Sequence, residues 1–152
     1  MDEDQLQLLP LLPEPRQTKV RTLLSEREAK ATDFMDQEYL AIPPTATVGD
    51  AKHRILESGL EYHGISYLYV TASGGPLLGV VDARQLLLER DGTSMESVMV
   101  NPVVTAEMDD AREDLTAMFS KYHFRMVPVV DSEDHIQGVV RHGDIMKPTA
   151  KV

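Results

Sequence analysis

The pattern of apolar and polar positions is clearest near the end of the chain. A compact apolar run at Met126–Val130 is followed by five mostly polar residues and then by a second run at 136–140. Both runs are short and rich in β-branched residues, which favours strands over helices. The polar stretch between them has the length of a hairpin turn. We therefore predict two antiparallel strands, followed directly by a helix that starts near Asp144.

The same arrangement occurs earlier in the chain. Residues 67–86 align with residues 126–145 without a gap, and the Gly-Val-Val at 79–81 matches the Gly-Val-Val at 138–140. Such a match is an internal duplication, here with a period of roughly sixty residues. Each copy is too small to bury a large core alone. We therefore expect the two copies to pack together into one body.

Each copy also carries a helix before its strand pair. In the first copy, Thr47 with Asp50 three residues later resembles a capping box, and Gly59 ends the helix. In the second copy, Asp109 or Asp110 is predicted to cap the helix. The inward-facing residues of that second helix are predicted to be Leu115, Met118, Phe119 and Tyr122.

Short first strands are predicted at 39–42 and from Asn101 onward, and Asp82 is predicted to cap the last helix of the first copy. Each copy then has the order strand, helix, strand, strand, helix, which is a mixed fold of the α+β type. We place the first copy at 34–91 and the second at 92–152. Residues 1–33 form a leucine-rich helical segment or linker, which we expect to cover the repeat body or a partner subunit.

Composition and charge narrow the function. Hydrophobic residues make up 42% of the chain and charged residues 26%, which is typical of a folded globular protein rather than a disordered one. The net charge of −10 argues against a nucleic-acid partner, since such surfaces are basic. Without cysteine there is no disulfide framework. The acidic N-terminus and the lack of an apolar run of roughly 18 residues lead us to expect a cytoplasmic protein.

Several of these residues resemble the CBS domain (named after cystathionine β-synthase), and two copies in tandem resemble a CBS pair. The resemblance lies in Met99 with Pro102 and Val103, in the apolar run Met126–Val130, and in the Gly-Val-Val at 138–140 that leads to Asp144. It covers about four-fifths of the chain. The segments 38–51 and 67–70 are further similar to the cytosolic CBS region of the MgtE family of magnesium transporters.

The resemblance implies a cleft that binds an adenosine nucleotide, ATP or AMP. CBS pairs carry Ser or Thr and Asp, spaced T-x-x-D, at the start of each last helix, where the Asp takes the ribose hydroxyls. The second copy keeps Asp144 but has Arg141 in place of the hydroxyl residue, and the first copy has Gln85 in the ribose position. The second copy is therefore the better candidate, although Asp144 could equally be a helix cap.

In that second site the resemblance implies two groups of residues around Asp144. The base would be lined by Val104, Met126, Val127 and Pro128, and the phosphates would be met by Arg125, Arg141 or His142.

Magnesium is a second ligand that the resemblance implies, because MgtE-like modules sense Mg²⁺ through acidic side chains at domain interfaces. Acidic residues cluster at 109–114 and 131–134, but most are expected to be solvated helix-start or turn residues, and we assign no metal ligand. The five histidines show no H-x-x-x-H or H-E-x-x-H spacing, and no catalytic triad or phosphate loop is evident. The sequence gives little support for an enzyme.

We interpret the chain as a cytosolic regulatory CBS pair, of or related to an MgtE-type Mg²⁺ transporter, at the inner face of the membrane. It would sense adenosine nucleotide, Mg²⁺ or both, and work as a homodimer with a membrane transporter domain as partner. Two alternatives stay open. One is a ligand-free dimerisation scaffold, suggested by Arg141 and Gln85, and the other is a stand-alone nucleotide sensor for a soluble partner.

Overall fold

The computed structural model describes residues 29–61 and 65–146. The leucine-rich segment predicted at the N-terminus lies almost entirely outside the described residues. In the described ranges no helix combines the length and the apolar character needed to cross a bilayer.

Both copies contain the predicted succession of elements. The first copy consists of β1 (Leu40–Ile42), α2 (Val48–Glu57), β2 (Tyr67–Thr71), β3 (Leu77–Asp82) and a 3₁₀ helix (Ala83–Leu88). The second consists of β4 (Ala106–Glu107), α4 (Arg112–Tyr122), β5 (Met126–Val130), β6 (Ile136–Arg141) and α5 (His142–Ile145). A one-turn lead-in helix precedes each copy, α1 (Ala31–Phe34) and α3 (Met95–Val98). The predicted α+β fold is confirmed, although β4 begins four residues beyond Pro102.

The two sheets share one topology. Their strand orders are β1-β2-β3 and β4-β5-β6, with the first pair parallel and the second antiparallel in each sheet. Each antiparallel ladder shifts its register once, between Val70 and Thr71 in the first copy and between Val129 and Val130 in the second. These positions correspond in the repeat, so the duplication extends to the irregularity of the strands.

Local side-chain bonds decide where the two long helices begin. The Thr47 hydroxyl accepts a hydrogen bond from the Asp50 amide, whose carboxylate accepts one from the Thr47 amide, so the predicted capping box is present. The second copy differs from the prediction. Asp110 accepts from the amide of Glu107 in a turn, and α4 starts at Arg112 with Ala111 as its N-cap residue. Asp110 therefore serves the turn before the helix.

The lead-in helices are exchanged between the copies. Ala31 and Phe34 of α1 belong to the hydrophobic core of the second copy, whereas Met95 and Val98 of α3 belong to the core of the first. Paired backbone hydrogen bonds fix both exchanges: Asp36 with Val139 at 2.9 and 3.0 Å, and Val80 with Val100 at 2.8 and 3.0 Å. The helix α1 therefore completes the core of the second copy, and α3 completes the core of the first.

Two glycines of the repeat make this exchange sterically feasible. A Cβ added to Gly79 would lie 2.5 Å from the Met99 sulfur, and a Cβ added to Gly138 would lie 2.5 Å from Met35 Cγ and 2.8 Å from the Asp36 carbonyl oxygen. The absence of a side chain lets each lead-in segment lie directly on the strand. A third apolar cluster, built around Tyr69, Met126 and Val139, joins the two sheets into the expected single body.

Candidate functional site

A cavity among the described residues, which we call the Asp144 cleft, has a volume of about 860 Å³. It lies between the copies, because residues before β1 and β2 form one side and residues of the second copy form the other. Its lining consists of Glu38, Glu61, Ser66, Phe119, His123, Phe124, Arg125, Arg141, His142, Gly143 and Asp144. The structure therefore brings together four of the eight predicted site residues, namely Asp144, Arg125, Arg141 and His142.

Asp144 is not the cap of the last helix. The N-cap residue of α5 is Arg141, which makes no side-chain cap bond, and Asp144 stands in the first turn. Its carboxylate lies 3.3 Å from Arg141 Nη2 and keeps 34% of its surface exposed. The exposed part leaves carboxylate oxygens available to a ligand in the cleft.

Arg141 is the centre of a carboxylate cluster. Its Nη1 atom lies 2.8 Å from Asp36 Oδ2 and 3.7 Å from Glu38 Oε2, in addition to the contact with Asp144. The approach to Asp36 is ionic, since its angle lies outside hydrogen-bond geometry. The side chain is only 18% exposed, so water screens these contacts less than on an open surface. Arg141 therefore connects the segment before β1 with the start of α5 through ionic contacts.

Arg125 connects the cleft to the first copy. Its Nη2 donates to Asp82 Oδ2 at 3.0 Å, and its guanidinium lies 4.8 Å above the centre of the Tyr67 ring. Arg84 binds the same carboxylate at 2.9 Å. Hydrogen bonds from the Arg84 side chain, the Arg84 amide and the Arg125 side chain lower the pKa of Asp82 to about 2, although partial burial opposes this. Asp82 is also the predicted N-cap, accepting from the Arg84 amide.

The residues predicted to line the base are in a different place. Val104, Met126 and Pro128 lie in a second cavity of about 180 Å³, which we call the apolar pocket. Its other lining residues are Tyr67, Tyr69, Val80, Val100, Pro102, Val103 and Phe124. Val127 is not among the residues that line this pocket. Side chains alternate along β5, and the Val127 side chain is fully buried in the core of the second copy.

The structure distributes these four positions differently from the sequence-based site. The prediction placed the cleft between the two copies but took every residue that it named around Asp144 from the second copy. The structure forms each cavity across the copies: the segment before β1 faces Asp144, and Val104, before β4, faces the strands of the first copy. The residues that sequence reasoning missed are Glu38, Glu61, Ser66, Phe119, His123 and Phe124. Aligning the two copies against each other, rather than extending the motif within one, could have indicated Glu38 and Ser66.

The ribose position of the first copy has a structural role. The Gln85 side chain donates to the Val98 carbonyl oxygen at 3.2 Å, which fastens the 3₁₀ helix to α3. The first copy thus lacks a carboxylate at the position of Asp144.

In the apolar pocket, burial raises the pKa of Tyr69, whose hydroxyl group has no hydrogen-bond partner among the described residues.

Three acidic side chains meet away from the clefts. Carboxylate oxygens of Glu107, Asp109 and Asp110 lie within 4.8 Å of one another in the turn before α4. Asp110 is already engaged with the Glu107 amide at 2.8 Å, and Asp109 is exposed. Because this cluster is explained by the turn, we assign no metal ligand there.

Comparisons with known proteins agree with this architecture. The sequence model of the CBS domain matches residues 31–92 and 95–149. The magnesium transporter MgtE of Thermus thermophilus is 29% identical over 146 residues, which cover 95% of this chain and 32% of that protein. MgtE of Enterococcus faecalis is 28% identical over 128 residues, covering 84% of this chain and 28% of the transporter.

Solved structures give the same result. The cytosolic domain of the Mg²⁺ channel MgtE in complex with ATP superposes with a TM-score of 0.72 at 28% identity, covering 92% of this chain and 56% of that one. The predicted resemblance to the cytosolic CBS region of MgtE is confirmed. The chain spans about a third of the length of the transporters it matches.

Proposed function

This chain belongs to the CBS domain family, and from that membership we propose that it is a regulatory module that binds an adenosine nucleotide in the Asp144 cleft. The observation that carries the proposal is the cleft itself. It places a part-exposed carboxylate, two aromatic rings and four basic side chains around one cavity of about 860 Å³ between the copies. That volume is in the range of small-molecule and cofactor sites.

The chemistry of the lining suits a nucleoside. A carboxylate accepts hydrogen bonds from two vicinal hydroxyl groups, so Asp144 is the proposed partner of the ribose. Phe124 offers apolar surface to the base, and Arg125, Arg141 or His142 remains the proposed contact of the phosphates. A ligand at Asp144 competes with Arg141 for the same oxygens.

This competition supplies a regulatory signal. Arg141 also contacts Asp36 and Glu38, so a ligand that draws Asp144 away changes the contacts between α5 and the segment before β1. A ligand shifts a conformational equilibrium only if it binds one arrangement better, and the proposal is that nucleotide favours an arrangement in which Arg141 has released Asp144. We propose that the shift is transmitted to an MgtE-type membrane domain, with the module at the inner face of the membrane and with Mg²⁺ as a second effector.

A homodimer is part of the proposal. Leu56 of α2 and Leu87 and Leu88 of the 3₁₀ helix are 79–85% exposed, on two elements that pack against each other. Apolar side chains grouped on a surface mark interaction sites, and two-fold symmetry pairs one such surface with its own copy.

The test is calorimetric titration of the chain with AMP and ATP, each with and without Mg²⁺, with GMP as the non-adenine control. We expect saturable binding of the adenine nucleotides and at least about tenfold weaker binding after Asp144→Asn, which removes a charge-assisted hydrogen bond. Glu133→Gln is the matched control, because Glu133 is exposed in the turn at the opposite end of β6. It should leave binding unchanged.

Each result has a definite meaning. Unchanged affinity after Asp144→Asn refutes the assignment of this cleft. Absence of binding by every nucleotide favours the ligand-free scaffold, which the ion pairs of Arg125 and Arg141 already support. A response to Mg²⁺ alone favours the cation sensor, and nucleotide binding without any effect on a co-expressed transporter favours the stand-alone sensor.

A further inference from the structure

Two histidines, His123 and His142, line the Asp144 cleft. His142 is the first residue of α5, and its ring lies 5.2 Å from the ring of Phe119 in an edge-to-face contact. His123 follows α4 with a left-handed backbone (φ 56°), and its amide donates to the Phe119 carbonyl oxygen at 2.9 Å. Phe119 is 3% exposed, and this buried residue contacts His142 through its ring and His123 through its backbone carbonyl oxygen.

The four basic residues of the cleft differ in what they already contact. Arg125 is bound to Asp82, and Arg141 is surrounded by Asp36, Glu38 and Asp144. Within the described residues, neither imidazole ring makes a hydrogen bond or an ion pair. An anionic group that approaches either arginine meets carboxylates at the same time, and like charges raise the cost of that approach. The two imidazole rings differ from the arginines in that neither is paired with a carboxylate in the described part of the chain, although Glu38, Glu61 and Asp144 line the same cleft.

Three carboxylates and two guanidinium groups line the cleft together with the histidines. They belong to Glu38, Glu61, Asp144, Arg125 and Arg141, which lie in the segments before β1, β2 and β5, at the end of β6 and in α5. Lys121 and Tyr122 belong to the last turn of α4. Carboxylates and guanidinium groups keep their charge between about pH 8 and pH 5.5, whereas histidine is the residue type that becomes charged in that interval.

We propose that His123 and His142 bind the phosphate of the nucleotide, and that the affinity for a phosphorylated adenosine ligand therefore rises as the pH falls from about 8 to about 5.5. This inference rests on the proposed function. It assigns the phosphate to the imidazoles instead of the arginines, and it makes the module responsive to pH as well as to nucleotide.

The experiment needs a ligand whose own charge does not change. AMP is unsuitable, because its phosphate loses or gains a proton in the same interval. We would use the methyl ester of AMP, a phosphodiester with one fixed negative charge, and adenosine as the uncharged reference. Affinities of both are measured by calorimetry at about pH 8, 7 and 6. We expect the affinity of the ester to rise about tenfold on going to the lowest pH, and that of adenosine to change by less than about twofold.

Variants test the assignment to particular residues. The double variant His123→Gln/His142→Gln should bind the ester with an affinity that no longer depends on pH, while adenosine binding stays as in the wild type. His142→Lys should retain tight binding of the ester at about pH 8, because a permanent charge replaces the titrating one. His53→Gln/His135→Gln is the matched control, since His53 pairs with Glu57 on α2 and His135 lies in the β5–β6 turn. It should preserve the pH dependence.

The outcomes separate the two proposals. If neither ligand binds at any pH, both the proposed function and this inference are wrong. If both ligands bind and the ester shows no more pH dependence than adenosine, only the histidine assignment is wrong. If the affinity for the ester still depends on pH in the double histidine variant, the histidine assignment is also refuted. The comparison of the two ligands on the wild-type protein does not depend on whether any variant folds.

Discussion

At the scale of single residues, the close approach of the lead-in segments to the two sheets depends on glycine. We expect Gly138→Ala to lower the free energy of unfolding by about 2 kcal/mol, because the new methyl group would meet the backbone oxygen of Asp36, which cannot rotate away. Urea denaturation measures the change. Gly92→Ala is the matched control, since no atom lies within 4 Å of its added Cβ, and it should change stability by less than about 0.5 kcal/mol. Equal effects of the two substitutions would contradict the argument.

A second residue-scale prediction concerns the acid sensitivity of Asp82. Its pKa is lowered from 3.8 to about 2 in the folded protein, so its ionised form stabilises the fold above about pH 4, and this contribution is lost as the pH falls toward 2. Because the side chain is 28% exposed, we expect Asp82→Asn to cost about 1 kcal/mol at neutral pH. Urea denaturation of both proteins from about pH 6 to pH 2 should show that the difference shrinks at the acidic end. A difference in the free energy of unfolding between the two proteins that stays constant with pH would contradict this prediction.

The candidate site was predictable to the extent that its residues are close in sequence. Asp144, Arg141 and His142 belong to one turn, so a motif within the second copy brought them together correctly. Val104 and Met126 were assigned to the same cavity, but they line the other one, because the pairing of the two copies decides which segment faces which cleft. Glu38 and Ser66 reach Asp144 across that interface. A local motif carries no information about such long-range contacts.

At the scale of elements, local signals predicted strands and helices well. The compact apolar runs rich in β-branched residues predicted the antiparallel pairs, and the capping box at Thr47 predicted the start of α2. The start of α4 was misplaced because aspartate serves turns as readily as helix caps, and Asp110 binds the Glu107 amide. The exchange of α1 and α3 could not be predicted, since four-residue helices have too few positions to show which sheet they cover.

That exchange leads to an element-scale prediction. Phe34 is 9% exposed in the core of the second copy, so Phe34→Ala should destabilise the protein by about 3 kcal/mol. In hydrogen exchange, protection should fall first at amides of the second copy such as Val127 and Val140, although Phe34 leads into the first copy in the chain.

The reciprocal variant serves as its control. Val98→Ala removes buried volume from the core of the first copy, so it should reduce protection at Leu68 and Val81 and spare the second copy. If each substitution loosened the copy that follows it in the chain, the exchange would be refuted.

At the scale of the whole molecule, the two copies form one body, but their helical faces differ. The first copy exposes Leu56, Leu87 and Leu88, which are 79–85% accessible, and this surface is the proposed dimer interface. Burying such side chains against a second copy removes apolar area from water, whereas an aspartate there would place a charge in the interface. The duplication therefore supplies the proposed nucleotide cleft between the copies and the proposed dimer contact on one of them.

We expect the wild-type chain to sediment as a dimer and Leu87→Asp/Leu88→Asp to sediment as a monomer in analytical ultracentrifugation. The substitutions lie on an exposed surface, so the free energy of unfolding of the monomer should change little, which circular dichroism can check. Met108→Asp is the control, because Met108 is also partly exposed but lies in the turn before α4, and it should leave the dimer intact. If the double variant stayed dimeric, the first-copy helices would not form the interface. The dimer would then have to use another surface, and coupling between the Asp144 clefts of two subunits would have to pass through that surface.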